Sequence, residues 1–217
     1  MTAAVGYYLR LLIYRQSAIP PVLIYLALLA MVFATEAGPP VPAATVTAVA
    51  LMPLSAWLMR LTALSENRPF ADMTAVALRG ATRRLVARAA AAGLVGAALA
   101  FVAVVWARVA NPHPYRPAQI AVLVVGMHLA QVIAGVGIGA LLAPPLRVTA
   151  GAAIIAIVGV VLPSLLLEWV PPLGPMLYNL NTAPVPGPIT LFVATGQAAI
   201  VGGLALTLAA VLGRRAS

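Results

Sequence analysis

"SENRPFADMTAVALRGATRRLVARAAAAGLVGAALAFVAVVWARV", residues 65–109, changes character at Arg88. Up to that point it holds Glu66, Arg68, Asp72, Arg79, Arg83, Arg84 and Arg88, which are two of the chain's four acidic residues and five of its thirteen basic ones. From Ala89 to Ala107 none of the nineteen residues is charged. An apolar run of about 18 residues or more is long enough, as a helix, to cross the ~30 Å hydrocarbon layer of a bilayer. The stretch therefore reads as a wet segment feeding a transmembrane span, and the rest of the chain can be sorted in the same way.

Of 217 residues, 63% are hydrophobic and 8% charged. A soluble domain carries about 25% charged residues, so most of this surface must face lipid. Apolar windows fall at six places: 18–35, 43–61, 85–109, 117–143, 148–170 and 188–212. Prolines 20, 39, 40, 42, 117, 144, 145 and 188 lie at or near the ends of these windows, where a missing N–H costs least. Pro53 and Pro163 lie inside two of them and predict kinks. The reading is an all-α integral membrane protein with six transmembrane helices.

All thirteen basic residues are arginine. Eleven of them fall on the N-terminus, the 2–3 loop, the 4–5 loop or the C-terminus, and only Arg108 and Arg116 fall on the other side. Basic residues concentrate in cytoplasmic loops, so both termini are expected in the cytoplasm. The first window starts too late, and lacks the cleavage pattern, to be a signal peptide. Residues 1–17 mix Tyr7, Tyr8, Tyr14, Arg10 and Arg15 with leucines. They read as an interfacial helix on the cytoplasmic leaflet or as a ragged extension of the first span.

The charged stretch from Ser65 to Arg88 then lies in the cytoplasm between spans two and three. At 100° per residue, Asp72, Arg79 and Arg83 share one face, and Phe70, Met73, Thr74, Ala77 and Ala81 the other, which predicts an amphipathic helix. Such a helix can lie on anionic headgroups, pack on the protein's own helix ends, or dock into a groove of a soluble partner. Gly80 marks a bend before span three.

Several chemistries are excluded. With no cysteine there is no disulfide, thiolate metal site or cysteine nucleophile. With no lysine there is no GxxxxGK[ST] phosphate loop in this chain. GxSxG, HExxH and paired intramembrane aspartates are also missing, so the chain is not expected to be an enzyme by itself. The arginines are sorted for a membrane rather than for nucleic acid, which is not an expected partner.

Four features recur together: the interfacial first helix, six spans with both ends inside, a long helical 2–3 loop opened by Glu66, and a proline-rich, partly apolar last outside loop. Together they resemble the permease subunit of ABC-2 type ATP-binding cassette transporters. The resemblance implies that the 2–3 loop is the coupling helix. Glu66, Arg68, Phe70, Asp72, Met73, Arg79 and Arg83 would be the residues that meet a separate cytoplasmic ATPase subunit. It also implies that ATP and Mg are bound by that partner and that two permease copies pair. The outside loop, residues 168–188, would form a re-entrant hairpin near an exit; an interfacial loop with an aromatic belt is the plainer alternative.

Few polar groups lie within the windows. His128 and Gln131 share a face of the fourth, Gln197 lies in the sixth, and Tyr178 lies in the outside loop. They are candidates for a substrate pathway, although buried polar residues in spans more often bond a neighbouring helix. No carboxylate sits near a span centre, which disfavours an ion-driven carrier. Small-xxx-small pairs at Ala92–Gly96, Gly135–Gly139 and Gly203–Thr207 suit close helix contacts, within the bundle or between two copies. The expected function is an ATP-coupled exporter of a hydrophobic or amphipathic substrate in the cell's inner (plasma) membrane. A non-transporting scaffold that grips anionic lipid is the alternative. Arginine without lysine, with heavy alanine use, fits a GC-rich bacterial genome.

Overall fold

The structure, a computed structural model, describes residues 1–14, 16–34, 40–66, 68–112, 118–143, 149–166 and 188–215. These residues are helical and contain no strand. The elements are α1 (Thr2–Tyr14), a 3-10 turn (Gln16–Ala18), α2 (Ile19–Val32), α3 (Pro40–Ala63), α4 (Arg68–Ala77), α5 (Ala81–Ala110), α6 (Ala118–Leu142), α7 (Ala150–Leu166) and α8 (Pro188–Arg215). Each of the six apolar windows holds a helix within its described part.

Length and composition qualify four helices to cross a membrane: Pro42–Ala63 in α3, all of α5, Ala121–Leu142 in α6 and Phe192–Gly213 in α8. A fifth is gained if α1 and the Gln16–Val32 segment, bent by 80° to one another, form a single broken span. The 17 residues of α7 are apolar but short. At 1.5 Å per residue they span roughly 25 Å, against the ~30 Å of a hydrocarbon layer. The expected outside loop, with Tyr178, lies outside the described residues.

The bundle is organised around α6, which packs along α3 and α8 and also touches α5. Its interior holds large apolar side chains, such as Leu51, Met52, Leu58, Met59 and Met127, among a majority of smaller or polar ones. The smaller and polar ones include Ala44, Ala48, Ala56, Ala130, Ala134, Ala140, Ala198, Thr45, Thr47, Ser55, His128 and Gln131. The large apolar side chains Phe101 and Val109 (α5), Val122 (α6), Ile155 (α7), and Phe192, Ile200 and Leu204 (α8) are exposed. Lipid tails are as apolar as leucine, so helices gain nothing by hiding leucine from them. They gain by close backbone approach and by hydrogen bonds.

Glycines make that approach possible along α6. A methyl on Gly135 or Gly139 would run into the α3 backbone at Met52 or Ala56, and one on Gly137 would run into Gly202 of α8. Gly135–Gly139 is therefore an internal seam, already occupied by α3. Gly203 and Thr207, by contrast, face outward from the bundle.

The α4–α5 corner has a recognisable closure. Gly80 donates to the Ala75 carbonyl at 2.8 Å and Arg79 to that of Val76 at 2.9 Å. This is the double bond of a Schellman end, which normally places glycine where Arg79 stands. Arg79 has φ +58°, a left-handed conformation that costs an L-residue roughly 1–2 kcal/mol. Arg79→Gly is expected to raise the melting temperature in detergent by about 2–4 °C, the equivalent of ~1 kcal/mol for a chain of this size. A lower melting temperature would mean that the arginine side chain contributes more than its backbone strain removes.

Candidate functional site

The charged segment folds back on the end of the bundle formed by α1, the α3–α4 corner and the start of α5. Its centre is Glu66. One carboxylate oxygen, Oε2, accepts from Arg88 of α5 at 2.5 Å and from the Tyr8 hydroxyl of α1 at 3.1 Å. The other, Oε1, lies 2.9 Å from the Thr74 hydroxyl of α4, whose single proton it shares with the Phe70 carbonyl one turn back at 2.5 Å. The Arg88 and Glu66 side chains are 4% and 0% exposed. The Arg88 guanidinium also lies 5.3 Å over the Tyr8 ring, within range of a cation–π contact. Burial, opposed in part by Arg88, pushes the Tyr8 phenol above its ordinary 10.0, so at neutral pH it keeps its proton and serves as donor. A second tie runs from Arg84 of α5 to the Ala71 carbonyl of α4.

Around this node α4 shows two faces, and their division differs from the helical-wheel expectation. Ala71, Thr74, Ala75 and Leu78 turn toward the bundle and are half-buried. Phe70, Met73 and Val76 turn outward, at 61%, 67% and 80% exposure. Asp72, Arg79 and Arg83 are exposed as well. The wheel groups Thr74 with Phe70 and Met73 by angle alone. In the fold, Thr74 is inward, its hydroxyl reaching Glu66 as well as the Phe70 and Ala71 carbonyls of its own helix, and the small inner residues allow α4 to lie close.

The expectation for Glu66 is a place at the partner-facing surface with the other loop residues. The structure instead turns it inward, where three donors of this same chain occupy it. Phe70, Asp72, Met73, Arg79 and Arg83 are all exposed; Arg68 is the first residue of α4. Arginines at span ends ordinarily snorkel, yet Arg88 is buried in the ion pair and Arg60 is buried with its guanidinium 5.4 Å over the Trp57 ring. Tyr8, Thr74 and Arg88 are partners of Glu66 that pattern alone does not single out. The signal available is a lone glutamate beside a span in a chain with four acids; its partners stand 58, 8 and 22 positions away, which no spacing rule connects.

The pathway candidates separate. His128 and Gln131 are buried on α6. His128 Nδ1 lies 2.8 Å from the Val124 carbonyl and Nε2 lies 3.0 Å from Thr47 Oγ1 of α3. A proton on Nδ1 satisfies the carbonyl and leaves Nε2 to accept from threonine, so the neutral ring links α3 to α6. Gln197 is exposed on α8 and does not join them. Among the described residues, no three His, Asp or Glu side chains converge as a metal site would require. No protein family, characterised protein or solved structure matches this chain.

Proposed function

We propose that this chain is the permease subunit of an ABC-2 type transporter, an exporter of a hydrophobic or amphipathic substrate that takes its energy from a separate cytoplasmic ATPase. In this reading α2 and α7 complete six spans, and both termini are cytoplasmic. α1 lies along the inner leaflet and a second permease copy completes the pathway. The observation that carries the proposal is the outer face of α4. Phe70, Met73 and Val76 form an exposed apolar ridge on a helix braced from behind by Glu66, with exposed charges at Asp72 on the same helix and at Arg79 and Arg83 just beyond its end. Apolar anchors with charges near them suit helix-in-groove docking, with the charges setting register and encounter rate. The chain has no phosphate loop of its own, so a docked ATPase would supply the missing chemistry. Closure of the ATPase pair around ATP and Mg would push on α4, and the helices on either side of it, α3 and α5, both pack on α6 and would pass that motion into the bundle.

A second reading is favoured by the same ridge. Exposed apolar residues beside arginines also suit an anionic bilayer surface, and a non-transporting scaffold would need nothing more. The two separate in one experiment. The chain, purified in mild detergent from its native membrane, is expected to retain a nucleotide-binding chain in equal amount and to hydrolyse ATP. The pair Phe70→Ala and Met73→Ala should lower that retention at least about 100-fold, the loss typical of two buried anchors at ~1.5–2 kcal/mol each. A wild-type chain that brings down no ATPase, and whose α4 leaves anionic vesicles when salt is raised, would establish the scaffold and sink the transporter.

A further inference from the structure

The inward face of α4 is made of Ala71, Thr74, Ala75 and Leu78. These side chains are mostly small and bury little apolar area, so packing alone holds this helix weakly. At ten residues it is also shorter than the ~12–15 at which an isolated helix becomes even marginally stable in water. Something other than hydrophobic contact must orient it. The candidate is the carboxylate at the corner before it, whose two oxygens reach α1, α4 and α5 at once.

We infer that Glu66 is a positioning residue: by bonding Tyr8, Thr74 and Arg88 together it welds α1, α4 and the start of α5 into one rigid body, and so fixes the direction in which the Phe70–Met73–Val76 ridge points. This rests on the docking reading only for its use, since the weld itself belongs to the chain alone. Each arm has its own job. Arg88 supplies the charge that makes a buried carboxylate tolerable. Thr74 ties the middle of α4 to the corner and sets its rotation. Tyr8 extends the body to α1, so a displacement of either helix is carried to the other. Arg84, bonded to the Ala71 carbonyl, is a second tie between α4 and α5 that does not pass through position 66.

The chain has no cysteine, so introduced pairs can be spin-labelled without background. Labels at Val76 and Val109, both exposed and at opposite ends of the α4–α5 unit, should lie on the order of 40 Å apart, well suited to pulsed dipolar spectroscopy. In lipid nanodiscs, without any partner, the parent pair is expected to give one narrow distance distribution. Glu66→Leu, which leaves no acceptor at the corner, and Thr74→Val should each widen it to at least about twice the parent width, as a locally released element would. Thr74→Ser, which keeps the hydroxyl, should restore it. A control pair at Val109 and Leu204 should stay narrow throughout, which a general loss of folding would not allow. Tyr8→Phe should widen an Ile13–Val76 pair and leave Val76–Val109 narrow. If Thr74→Val and Glu66→Leu both keep the Val76–Val109 distribution at the parent width, the inference is overturned. Should Glu66→Leu not fold, Thr74→Val against Thr74→Ser decides alone. A narrow, wild-type distribution together with absent ATPase capture would remove the docking reading and leave this inference standing.

Discussion

Gly139→Leu is expected to leave no monodisperse protein after extraction in mild detergent. The new side chain would begin inside the backbone of Ala56 on α3. Overpacking against a flexible side chain costs about 1–3 kcal/mol, because the neighbour can turn aside. Backbone has no such freedom, so α3 would have to move away as a unit and surrender the seam along Met52 to Ala56. Gly137→Leu attacks the opposite side of the same helix, against Gly202 of α8, and should fail in the same way. The natural control is Gly203→Leu. Gly203 is the chain neighbour of Gly202, yet nothing lies within 4 Å of where its Cβ would stand, and it should behave like wild type. Fluorescence-detected size-exclusion chromatography reads all three. Wild-type profiles for both Gly139→Leu and Gly137→Leu would show that α6 does not approach its neighbours as described.

The second large effect concerns Arg88. Arg88→Met keeps most of the volume but leaves the Glu66 carboxylate buried without its counter-charge. Removing one partner of a buried pair costs about 3–5 kcal/mol, because the remaining charge loses its solvent and its compensation together. At roughly 2–4 °C per kcal/mol the melting temperature should fall by about 6–20 °C. The reverse single change, Glu66→Gln, should cost less overall. Arg88 would still have the Tyr8 ring beneath it, and its long aliphatic stem could carry the charge toward the headgroups. The decisive comparison is with the double variant. Arg88→Met with Glu66→Gln removes both charges and keeps an acceptor for Thr74, so it should recover most of what Arg88→Met loses. A double variant no more stable than Arg88→Met alone would mean that the methionine, and not the orphaned carboxylate, is what destabilises the protein. The pair need not add net stability over an apolar replacement; its role is to specify which helices meet.

The α4 ridge marks the reach of pattern reading. Period and polarity place a helix between Arg68 and Gly80 and find Phe70 and Met73 on its apolar side. They misplace Thr74, because neither period nor polarity says whether water or a buried carboxylate receives its hydroxyl. Glu66 reads as a surface residue for the same reason: in sequence, an acid beside a helix start is simply an acid. The glycines are visible as small-xxx-small spacings on several spans, but spacing does not say what lies opposite. Gly135 and Gly139 are filled from within, whereas Gly203 faces outward, and only the packed bundle distinguishes them.

That the protein is helical and apolar, and where its long helices run, is legible in the chain alone because those properties are local. A run of uncharged residues either outlasts the ~30 Å of hydrocarbon or does not, and the hydrogen bonds of a helix close within four residues. Which side chains are answered is settled by packing. Tyr8, Glu66, Thr74 and Arg88 meet although as many as 80 positions separate their ends, and Thr47 meets His128 across two helices. Those contacts depend on how helices cross and rotate against one another, which is set by many small surfaces at once, so no single stretch of sequence contains them.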